Sequence, residues 1–255
     1  MSETLQTYLD FIHETAFLAG RLTLGYFQSN LAVDLKKDGS VVTAADRGAE
    51  QLIRERIQRY FPSHAILGEE FGNVEQSSPY RWIIDPIDGT YSFVHGVPIY
   101  AVLIGLEING TVEVGAAHFP ALSETVSAAT GLGCYWNQVR THVSETPTLS
   151  QGLVIANDAA SFYEQGFGSQ WERLSSACKS RRGWGDAYGY MLVATGRAEV
   201  SLDPIMNAWD NGPFPPIFAE AGGYFGDWKG NRTIYTEQAV ATSLKLLPEV
   251  LSVLA

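Results

Sequence analysis

The chain of 255 residues has few cysteines, few basic residues and no long apolar run. Two cysteines, Cys134 and Cys178, are too few for a disulfide framework at this length, so we expect reduced thiols in a cytoplasmic protein. No apolar stretch approaches the roughly 20 residues of a membrane span, and residues 1–20 lack the basic opening of a signal peptide. The formal net charge of −11 argues against partners such as nucleic acid or anionic membranes.

What remains is the composition of a globular protein, with 45% hydrophobic residues for one large domain or two smaller ones. Apolar residues at helical spacing predict a helix over residues 4–27. A second helix is predicted to begin after Thr43, a suitable N-cap, and to end before Pro62. The residues expected on its buried face are Ala49, Ile53, Ile57 and Tyr60.

Strand-like segments dominate the middle of the chain. Residues 100–108 and 111–119 predict a β-hairpin, because the intervening Asn109 and Gly110 suit a tight type I′ turn. After about residue 150 strand-like and helix-like segments alternate. The sequence therefore predicts a mixed α/β (α+β) chain.

A stretch rich in Ser, Thr and Pro at 143–150 predicts a soft boundary between two halves. We expect an N-terminal α+β half at 1–145 and a C-terminal α/β half at 146–255.

In one motif, W-I-I-D-P-I-D-G-T at 82–90, an apolar segment typical of a strand is followed by two aspartates and a Gly-Thr turn. Asp85 and Asp88 repel each other, and burial beside apolar residues makes ionisation harder still. Such a pair persists only where a shared proton or a cation relieves the repulsion.

Other acidic residues follow strand or helix signals in the same way: Glu69 and Glu70 end one strand, and Asp210 begins a helix. These motifs offer oxygen ligands without Cys or His, which suits Mg²⁺ or Mn²⁺ better than zinc. In the turn after Asp88, Gly89 allows close approach to the backbone, and free amides there bind anions. An anion site beside acids favours a phosphate that is bridged by a divalent metal.

The sequence resembles the inositol monophosphatase family of magnesium-dependent phosphatases. Four motifs carry the resemblance, in the family's order and spacing: V-T-A-A-D at 42–46, G-E-E at 68–70, W-I-I-D-P-I-D-G-T at 82–90 and W-D-N-G-P-F-P-P-I-F-A-E-A-G-G at 209–223. The resemblance covers essentially the whole chain and implies layers in the order α-β-α-β-α.

Carried over by residue, the resemblance implies two or three Mg²⁺ ions per site. Glu69, Asp85 and the main-chain carbonyl of Ile87 would hold the first ion. The second ion would have the ligands Asp85, Asp88 and Asp210, and a weaker third would lie near Glu69 and Glu70.

The resemblance also implies how phosphate and water are handled. Asp88, Gly89 and Thr90 would form the phosphate site, chiefly through the amides of Gly89 and Thr90. Thr90 with Asp46 would orient and deprotonate the attacking water, assisted by Glu70 and without a phosphoenzyme. Lys36 or Lys37 matches a basic residue of the family near the site, although both could be solvated loop lysines.

One departure from the family pattern follows Asp210. Gly212, Pro213, Pro215 and Pro216 stand where many relatives have small helix-forming residues. Because proline is tolerated in a first helical turn but not beyond it, we expect a distorted or late helix start here.

The segment 181–190, R-R-G-W-G-D-A-Y-G-Y, bears on the substrate. Relatives that act on inositol phosphate have small neutral residues here, whereas the G-D-x-Y-x-Y pattern resembles the histidinol-phosphatase branch. Asp186, and less specifically Asp203, would pair with the ammonium and imidazole groups of histidinol phosphate. Asp186 could instead cap the helix that it begins. Arg182 is a candidate for the pocket entrance, or it could neutralise these acids.

We therefore expect a phosphomonoesterase that converts the small phosphorylated metabolite L-histidinol phosphate to L-histidinol in histidine biosynthesis. An inositol-1-monophosphatase or a broad sugar or polyol phosphatase is the alternative. A non-catalytic regulatory protein of the same fold is a third interpretation, which the filled ligand positions disfavour. Family analogy alone predicts a homodimer.

Overall fold

Two large β-sheets alternate with three layers of helices in the computed structural model, which describes residues 4–36 and 39–255. Val33–Leu35 and Val41–Thr43 form a separate two-stranded sheet. The helices are α1 (Leu5–Leu24), α2 (Ala44–Tyr60), α3 (Thr90–Val94), α4 (Ala159–Glu164), α5 (Gly168–Ala177), α6 (Asp186–Ala194), α7 (Ala208–Asn211), α8 (Phe214–Glu220) and α9 (Leu247–Leu254). The strands are β1 (Val33–Leu35), β2 (Val41–Thr43), β3 (Ala65–Gly68), β4 (Gly72–Val74), β5 (Tyr80–Asp88), β6 (Ala101–Ile108), β7 (Thr111–Phe119), β8 (Glu124–Ala129), β9 (Gly133–Trp136), β10 (Val139–Arg140), β11 (Leu153–Ile155), β12 (Ser180–Arg182), β13 (Val200–Asp203), β14 (Gly223–Gly226) and β15 (Ala239–Ser243). The layers follow the order α-β-α-β-α, which confirms the predicted fold class.

Within the described residues the larger sheet has the strand order β10-β9-β8-β7-β6-β5-β3-β4. The predicted hairpin forms β6 and β7, and Asn109 and Gly110 both have positive φ, as a type I′ turn requires. β3 and β5 pair in parallel, with Gly68 opposite Ile84. Because parallel strands end at the same edge, the residues that follow β3 come to lie beside the end of β5.

Helices α1 and α2 cover the outer face of this sheet, where Ile12, Ala16 and Ile53 are fully buried. The predicted N-cap Thr43 is confirmed, because its hydroxyl accepts a hydrogen bond from the main-chain amide of Ala45. The prediction that Tyr60 is buried is wrong. Its side chain is 53% exposed because it lies at the end of α2, beside the arginine side chains of the last turn.

The smaller sheet has the order β12-β11-β13-β15-β14 over the described residues. Sequence patterns did not predict β12, β14 or β15. These strands are three to five residues long, and β14 and β15 are buried along their whole length, so neither shows the alternation that identifies a half-buried strand. Helices α4, α5 and α9 supply side chains to the core on the outer face of this sheet.

The middle layer contains α6 and α8, which contact both sheets through one core. Tyr190, Phe214 and Phe225 pack there with ring centroids 4.8 to 5.6 Å apart. The strands of the two sheets lie on either side of the 145/146 division, while this layer joins them. The division into halves stays a prediction.

The helix predicted after Asp210 is interrupted, as the prolines suggested. Helix α7 ends at Asn211, and α8 begins at Phe214 with Pro215 and Pro216 in its first turn, where no intrahelical amide is needed. The linker between α7 and α8 crosses β6 closely: a Cβ atom on Gly105 would lie 2.5 Å from the carbonyl oxygen of Gly212. A glycine in β6 therefore lets the helix that carries Asp210 approach the large sheet.

In the part of the chain that the structure describes, none of the helices has the length and apolar character needed to cross a membrane. Cys134 and Cys178 are both buried free thiols, which agrees with the expected absence of a disulfide framework.

Candidate active site

A cavity between the two sheets brings together acidic residues from distant parts of the sequence. Six of them line it: Glu69, Asp85, Asp88, Asp186, Asp203 and Asp210. All six were singled out by the sequence patterns. The structure places them on two walls, one built mainly from strand ends of the large sheet and one from β13 and the start of α6.

Parallel pairing of β3 and β5 places Glu69 beside Asp85, since each residue follows a paired position at the same sheet edge. The amide of Glu69 donates to the carbonyl oxygen of Ile84 at 3.3 Å. Glu69 and Asp85 are thus neighbours although 16 positions separate them in the sequence.

A bulge in β5 explains how two aspartates three positions apart face one cavity. In a regular strand, residues at i and i+3 point to opposite faces. Here Asp85 pairs with Leu103 and Asp88 pairs with Ala101, so β5 contains one extra residue between them. The extra residue reverses the alternation and turns Asp88 toward the side of Asp85.

Asp210 completes the cluster from the first turn of α7. Its Oδ2 accepts from the main-chain amide of Asn207 at 2.7 Å and from the Asn207 side chain at 3.2 Å. Asp85, Asp88 and Asp210 each have one carboxylate oxygen within 4.8 Å of the others. This donor set contains only oxygen, so it fits a hard divalent cation such as Mg²⁺.

The electrostatics of this wall also call for a cation. Burial, followed by repulsion from neighbouring carboxylates, raises the pKa values of Asp85 and Asp88 well above their ordinary range. Burial is likewise the main cause that raises the pKa of Glu69 to about 7 and that of Asp210 to about 6. A bound cation would favour the ionised forms of all four groups.

Lys36 bridges the two glutamates that follow β3. Its Nζ donates to Oε1 of Glu69 at 2.7 Å and to Oε1 of Glu70 at 2.6 Å. Burial alone would lower the pKa of Lys36, but these hydrogen bonds and charges outweigh it and raise the pKa. Of the two lysines considered, Lys36 is at the site, and Lys37 lies outside the described residues.

The turn after β5 has the form expected of a phosphate site. Gly89 has a φ of 80°, a left-handed conformation that glycine adopts readily, and helix α3 starts at Thr90. The hydroxyl of Thr90 donates to the carbonyl oxygen of Ile87 at 3.0 Å and to Oδ1 of Asp46 at 3.3 Å. The structure therefore brings together the predicted pair of Thr90 and Asp46.

Asp46 and Glu70 lie behind the cavity surface rather than on it. Burial raises the pKa of Asp46 although Thr43 donates two hydrogen bonds to its carboxylate. Burial also raises the pKa of Glu70, against the opposing effect of Lys36. The catalytic assistance predicted for Glu70 stays a prediction.

On the second wall, Asp186 is held by side chains from both halves. Its Oδ1 accepts from Nδ2 of Asn157 at 2.5 Å, and its Oδ2 accepts from the hydroxyl of Ser92 at 3.4 Å. Asp186 has a φ of 52°, uncommon for a residue other than glycine and more frequent for Asp and Asn. Burial raises the pKa of Asp186 to about 6.

The alternative interpretation of Asp186 as a helix cap is wrong. The side chain of Asp186 makes no capping hydrogen bond at the start of α6 in the described residues, and its two carboxylate oxygens accept from Asn157 and Ser92. The amide of Ala187 instead donates to Oδ2 of Asp88 at 2.6 Å. Asp88 of the first half therefore caps a helix of the second half, and the carboxylate of Asp186 is left to face the cavity.

Asp203 ends β13 and is 6% exposed. Its Oδ2 is buried without a hydrogen-bond partner among the described residues. Burial is the main cause that raises the pKa of Asp203 to about 7. A buried, partnerless carboxylate oxygen on a cavity wall is where a ligand that donates hydrogen bonds would be stabilised.

Arg182 lies outside the group of residues that line the cavity. Its guanidinium is exposed, 5.9 Å from the ring centre of Trp184, and donates to the carbonyl oxygen of Arg181 at 2.7 Å. Its role in substrate binding stays a prediction. Asn157 and Ser92 were missed by sequence patterns; Asn157 follows β11 closely, so a search for amides as well as acids at strand ends would have found it.

The fold and the site together define a layered α/β protein with a cluster of oxygen donors that fits a divalent cation, beside a turn whose form suits an anion. The sequence model of the inositol monophosphatase family matches residues 4–254. The chain belongs to this family.

Relatives are similar over nearly their whole length. A histidinol-phosphatase of Chlorobaculum parvum is 42% identical over 231 residues, which cover 90% of this chain and 89% of that protein. A histidinol-phosphatase of Streptomyces coelicolor is 34% identical over 97% of both chains. Among solved structures, the inositol monophosphatase from Anabaena has a TM-score of 0.87 and 32% identity, covering 98% of this chain and 96% of that one.

Proposed function

We propose that the protein is a Mg²⁺-dependent phosphomonoesterase that hydrolyses L-histidinol phosphate to L-histidinol and phosphate. One observation carries the proposal: three carboxylates at metal-binding distance share a cavity with two further acids, the buried Asp203 and the partly buried Asp186, that are not needed for the metal. The first group suits phosphate ester hydrolysis, and the second suits a cationic leaving group. The similarity to named histidinol-phosphatases supports the same substrate.

The metal-binding residues fall into the sets that the resemblance implies. Glu69, Asp85 and the carbonyl of Ile87 would hold one ion, and Asp85, Asp88 and Asp210 a second, with a third near Glu69 and Glu70. We propose two or three Mg²⁺ per site, with Mn²⁺ as a possible substitute. When bound, such ions lower the pKa of water and neutralise charge on the phosphoryl group.

The chain's own groups would position the reactants. The amides of Gly89 and Thr90 would bind the phosphate, and Asp88 lies at the same turn. The Thr90 hydroxyl, already hydrogen-bonded to Asp46, is placed to orient the attacking water and to pass its proton to Oδ1 of that buried carboxylate. Glu70, close enough to Asp46 for their charges to interact, would assist. The water oxygen attacks phosphorus as the ester bond breaks, and the ester oxygen leaves with the bonding electrons and takes a proton from solvent, without a covalent enzyme intermediate.

Specificity would come from Asp186 and Asp203. Histidinol phosphate carries an ammonium and an imidazole, which donate hydrogen bonds and which two carboxylates can accept. The partnerless oxygen of Asp203 supports this assignment. Arg182, on the exposed side near Trp184, would act at the entrance or neutralise nearby acids.

An inositol-1-monophosphatase or a broad sugar or polyol phosphatase remains the second candidate. Asp203 also favours it, because a buried carboxylate accepts hydrogen bonds from sugar hydroxyls as well as from an ammonium group. A non-catalytic regulatory role is less favoured, since each acidic metal position is filled. We further propose a cytoplasmic homodimer, on the basis of family analogy and of two buried free thiols.

Phosphate release in the presence of Mg²⁺ tests the proposal, with histidinol phosphate compared with inositol-1-phosphate and fructose-1,6-bisphosphate. We expect kcat/KM to favour histidinol phosphate by about 100-fold, or about 2.7 kcal/mol. Asp186→Asn should reduce that preference, and it is a mild change because Asn also tolerates positive φ. Equal rates on all three would favour the broad phosphatase; no turnover with Mg²⁺ bound would contradict a catalytic role on these esters.

A further inference from the structure

An ion pair inside α2 is buried directly behind the turn that carries Glu69 and Glu70. Nε of Arg54 donates to Oε1 of Glu50 at 2.6 Å, and the two side chains are 7% and 0% exposed. Neither residue lines the cavity, and neither has a part in the chemistry proposed above.

This pair holds the main chain of the turn at successive positions. Oε2 of Glu50 accepts from the amide of Glu70 at 2.7 Å, and Oε1 accepts from the amide of Phe71 at 3.2 Å. Nη2 of Arg54 donates to the carbonyl oxygen of Gly72. Because the amide of Glu69 is bound to β5, every residue from 69 to 72 has one main-chain group held.

The end of β3 is shaped to admit the pair. A Cβ atom on Gly68 would lie 2.6 Å from Nη2 of Arg54 and closer still to Oε1 of Glu50. A larger residue at position 68 would displace both side chains. The glycine of the G-E-E motif therefore allows the ion pair to lie directly against the turn.

Stability alone is a weak reason for such an arrangement. A buried ion pair is often matched or exceeded in stability by apolar residues of similar volume, because both charges must be desolvated. The negative charge of Glu50 also acts on nearby Glu70, where like charges disfavour ionisation. What the pair provides is directional: fixed acceptors for two amides and a donor for one carbonyl.

We propose that Glu50, held by Arg54, is a positioning residue for the metal site. By fixing the main chain of residues 70–72, directly after Glu69, the pair holds the turn from which the side chains of Glu69 and Glu70 extend toward the metal site. This inference rests on the proposed metal site and on no particular phosphate ester. Loss of groups that orient metal ligands typically weakens metal affinity by about 10- to 100-fold.

The test is Mg²⁺ binding by isothermal titration calorimetry, in the absence of substrate, for the full chain and for E50Q. The glutamine has the same size but lacks the charge, and only its carbonyl oxygen can accept, so one of the two turn amides loses its acceptor. We expect E50Q to bind Mg²⁺ about tenfold more weakly, while kcat at saturating Mg²⁺ falls less than about threefold. R54K should weaken binding in the same direction but less, because it keeps the charge beside Glu50.

E199Q is the matched control. Glu199 is also a carboxylate that ties segments together, accepting from the hydroxyls of Ser144 and Thr146 and from the amide of Leu153, and it does not line the cavity. We expect E199Q to lower the melting temperature and to leave the Mg²⁺ affinity unchanged.

Mg²⁺ affinity within about twofold of the unsubstituted protein in E50Q would overturn the positioning role and leave a structural one. If E50Q does not fold, an unchanged affinity in R54K would overturn it equally. Binding of Mg²⁺ by the unsubstituted protein without turnover of any ester would contradict the proposed function and leave the positioning role standing.

Discussion

The two walls of the cavity hold their carboxylates in different ways. On the wall assigned to the metal, each aspartate accepts from a main-chain amide: Asp85 from Ile87, Asp88 from Ala187 and Asp210 from Asn207. On the wall assigned to the substrate, the hydrogen bonds that hold Asp186 come from side chains, and Asp203 is only partly satisfied. Asp186 accepts from Asn157 and Ser92, and one oxygen of Asp203 has no partner in the described part of the chain.

The difference separates what the fold guarantees from what individual side chains supply. An amide stays in place when a neighbouring side chain changes, so main-chain bonds fix the metal wall as long as the fold is intact. The substrate wall can be altered by single substitutions without loss of the fold. This arrangement suits a family that keeps one chemistry while it changes its substrate.

Among the substitutions considered, removal of the Asp85 carboxylate from the wall assigned to the metal should reduce activity most. Asp85→Asn keeps the size and can keep the bond from the amide of Ile87, but it loses the charge that would bridge two ions. We expect phosphate release to fall by at least about 1000-fold, or about 4 kcal/mol. In differential scanning fluorimetry, the stabilisation by Mg²⁺ should disappear, while the metal-free variant melts no lower than its parent because buried repulsion is relieved.

Asp34→Asn is the control for that change, since Asp34 is exposed in an ion pair with Arg47 at 3.0 Å. It should keep both activity and the response to Mg²⁺. An Asp85→Asn protein that is still stabilised by Mg²⁺ would show that the metal wall is not where we place it.

The substrate wall should behave differently with pH. Burial raises the pKa of Asp203 to about 7, above its ordinary value of 3.8, so the folded state holds a proton that the unfolded state releases. Its contribution to the free energy of unfolding is therefore largest below about pH 4 and declines as the pH rises to about 7. At about 1.4 kcal/mol per pKa unit over about 3 units, Asp203→Asn should be more stable than its parent at pH 8 by up to about 4 kcal/mol.

Urea unfolding at pH 5 and pH 8 measures this gain, which should be smaller at pH 5. Because Asp203 is not assigned to the metal, the gain should persist in saturating Mg²⁺. A gain that vanishes with Mg²⁺ would move Asp203 to the metal wall and break the distinction.

The buried residue His118, which lies outside the cavity, should make stability depend on pH in the opposite direction to Asp203. Burial is the main cause that lowers the pKa of His118 to about 4, below its ordinary 6.5. Between those values the unfolded state binds the extra proton, so stability is full above about pH 6.5 and falls as the pH drops toward 4. The free energy of unfolding, measured with urea, should fall between pH 7 and pH 5 by about 2 kcal/mol less in His118→Gln than in its parent. An unchanged loss would mean that His118 titrates normally.

Features that depend on residues close together in the sequence could be predicted, and features that depend on distant residues could not. The type I′ turn at Asn109 and Gly110, the cap at Thr43 and the acids that follow β3 and β5 depend on residues close together in the sequence, so local patterns identified them. The bulge that turns Asp88 inward depends on pairing with β6. The left-handed Asp186 and its contacts with Asn157 and Ser92 join segments 29 and 94 positions away, and a periodicity contains no such information.

Substitution of Asn157 should have the smallest effect on catalysis and the one most specific to a single substrate. Asn157→Ala removes the 2.5 Å bond to Asp186 and keeps the Asn157 main-chain amide. Because Asn157 is exposed at the mouth of the cavity, we expect only about a tenfold fall in kcat/KM for histidinol phosphate, or about 1.4 kcal/mol, and less than about a threefold fall for inositol-1-phosphate. The fall should be mainly in KM, since the lost bond orients a group that binds the leaving portion of the substrate rather than the phosphoryl group.

Asn73→Ala is the matched control, since its amide donates to Glu75 at 3.4 Å on the exposed strand β4. This substitution should leave kcat/KM unchanged for both histidinol phosphate and inositol-1-phosphate. Equal losses of kcat/KM on both esters in Asn157→Ala would mean that the bond supports the whole cavity rather than the position of Asp186. The two walls would then be mechanically coupled, as the bond from Ala187 to Asp88 allows, and specificity could not change without affecting the metal site.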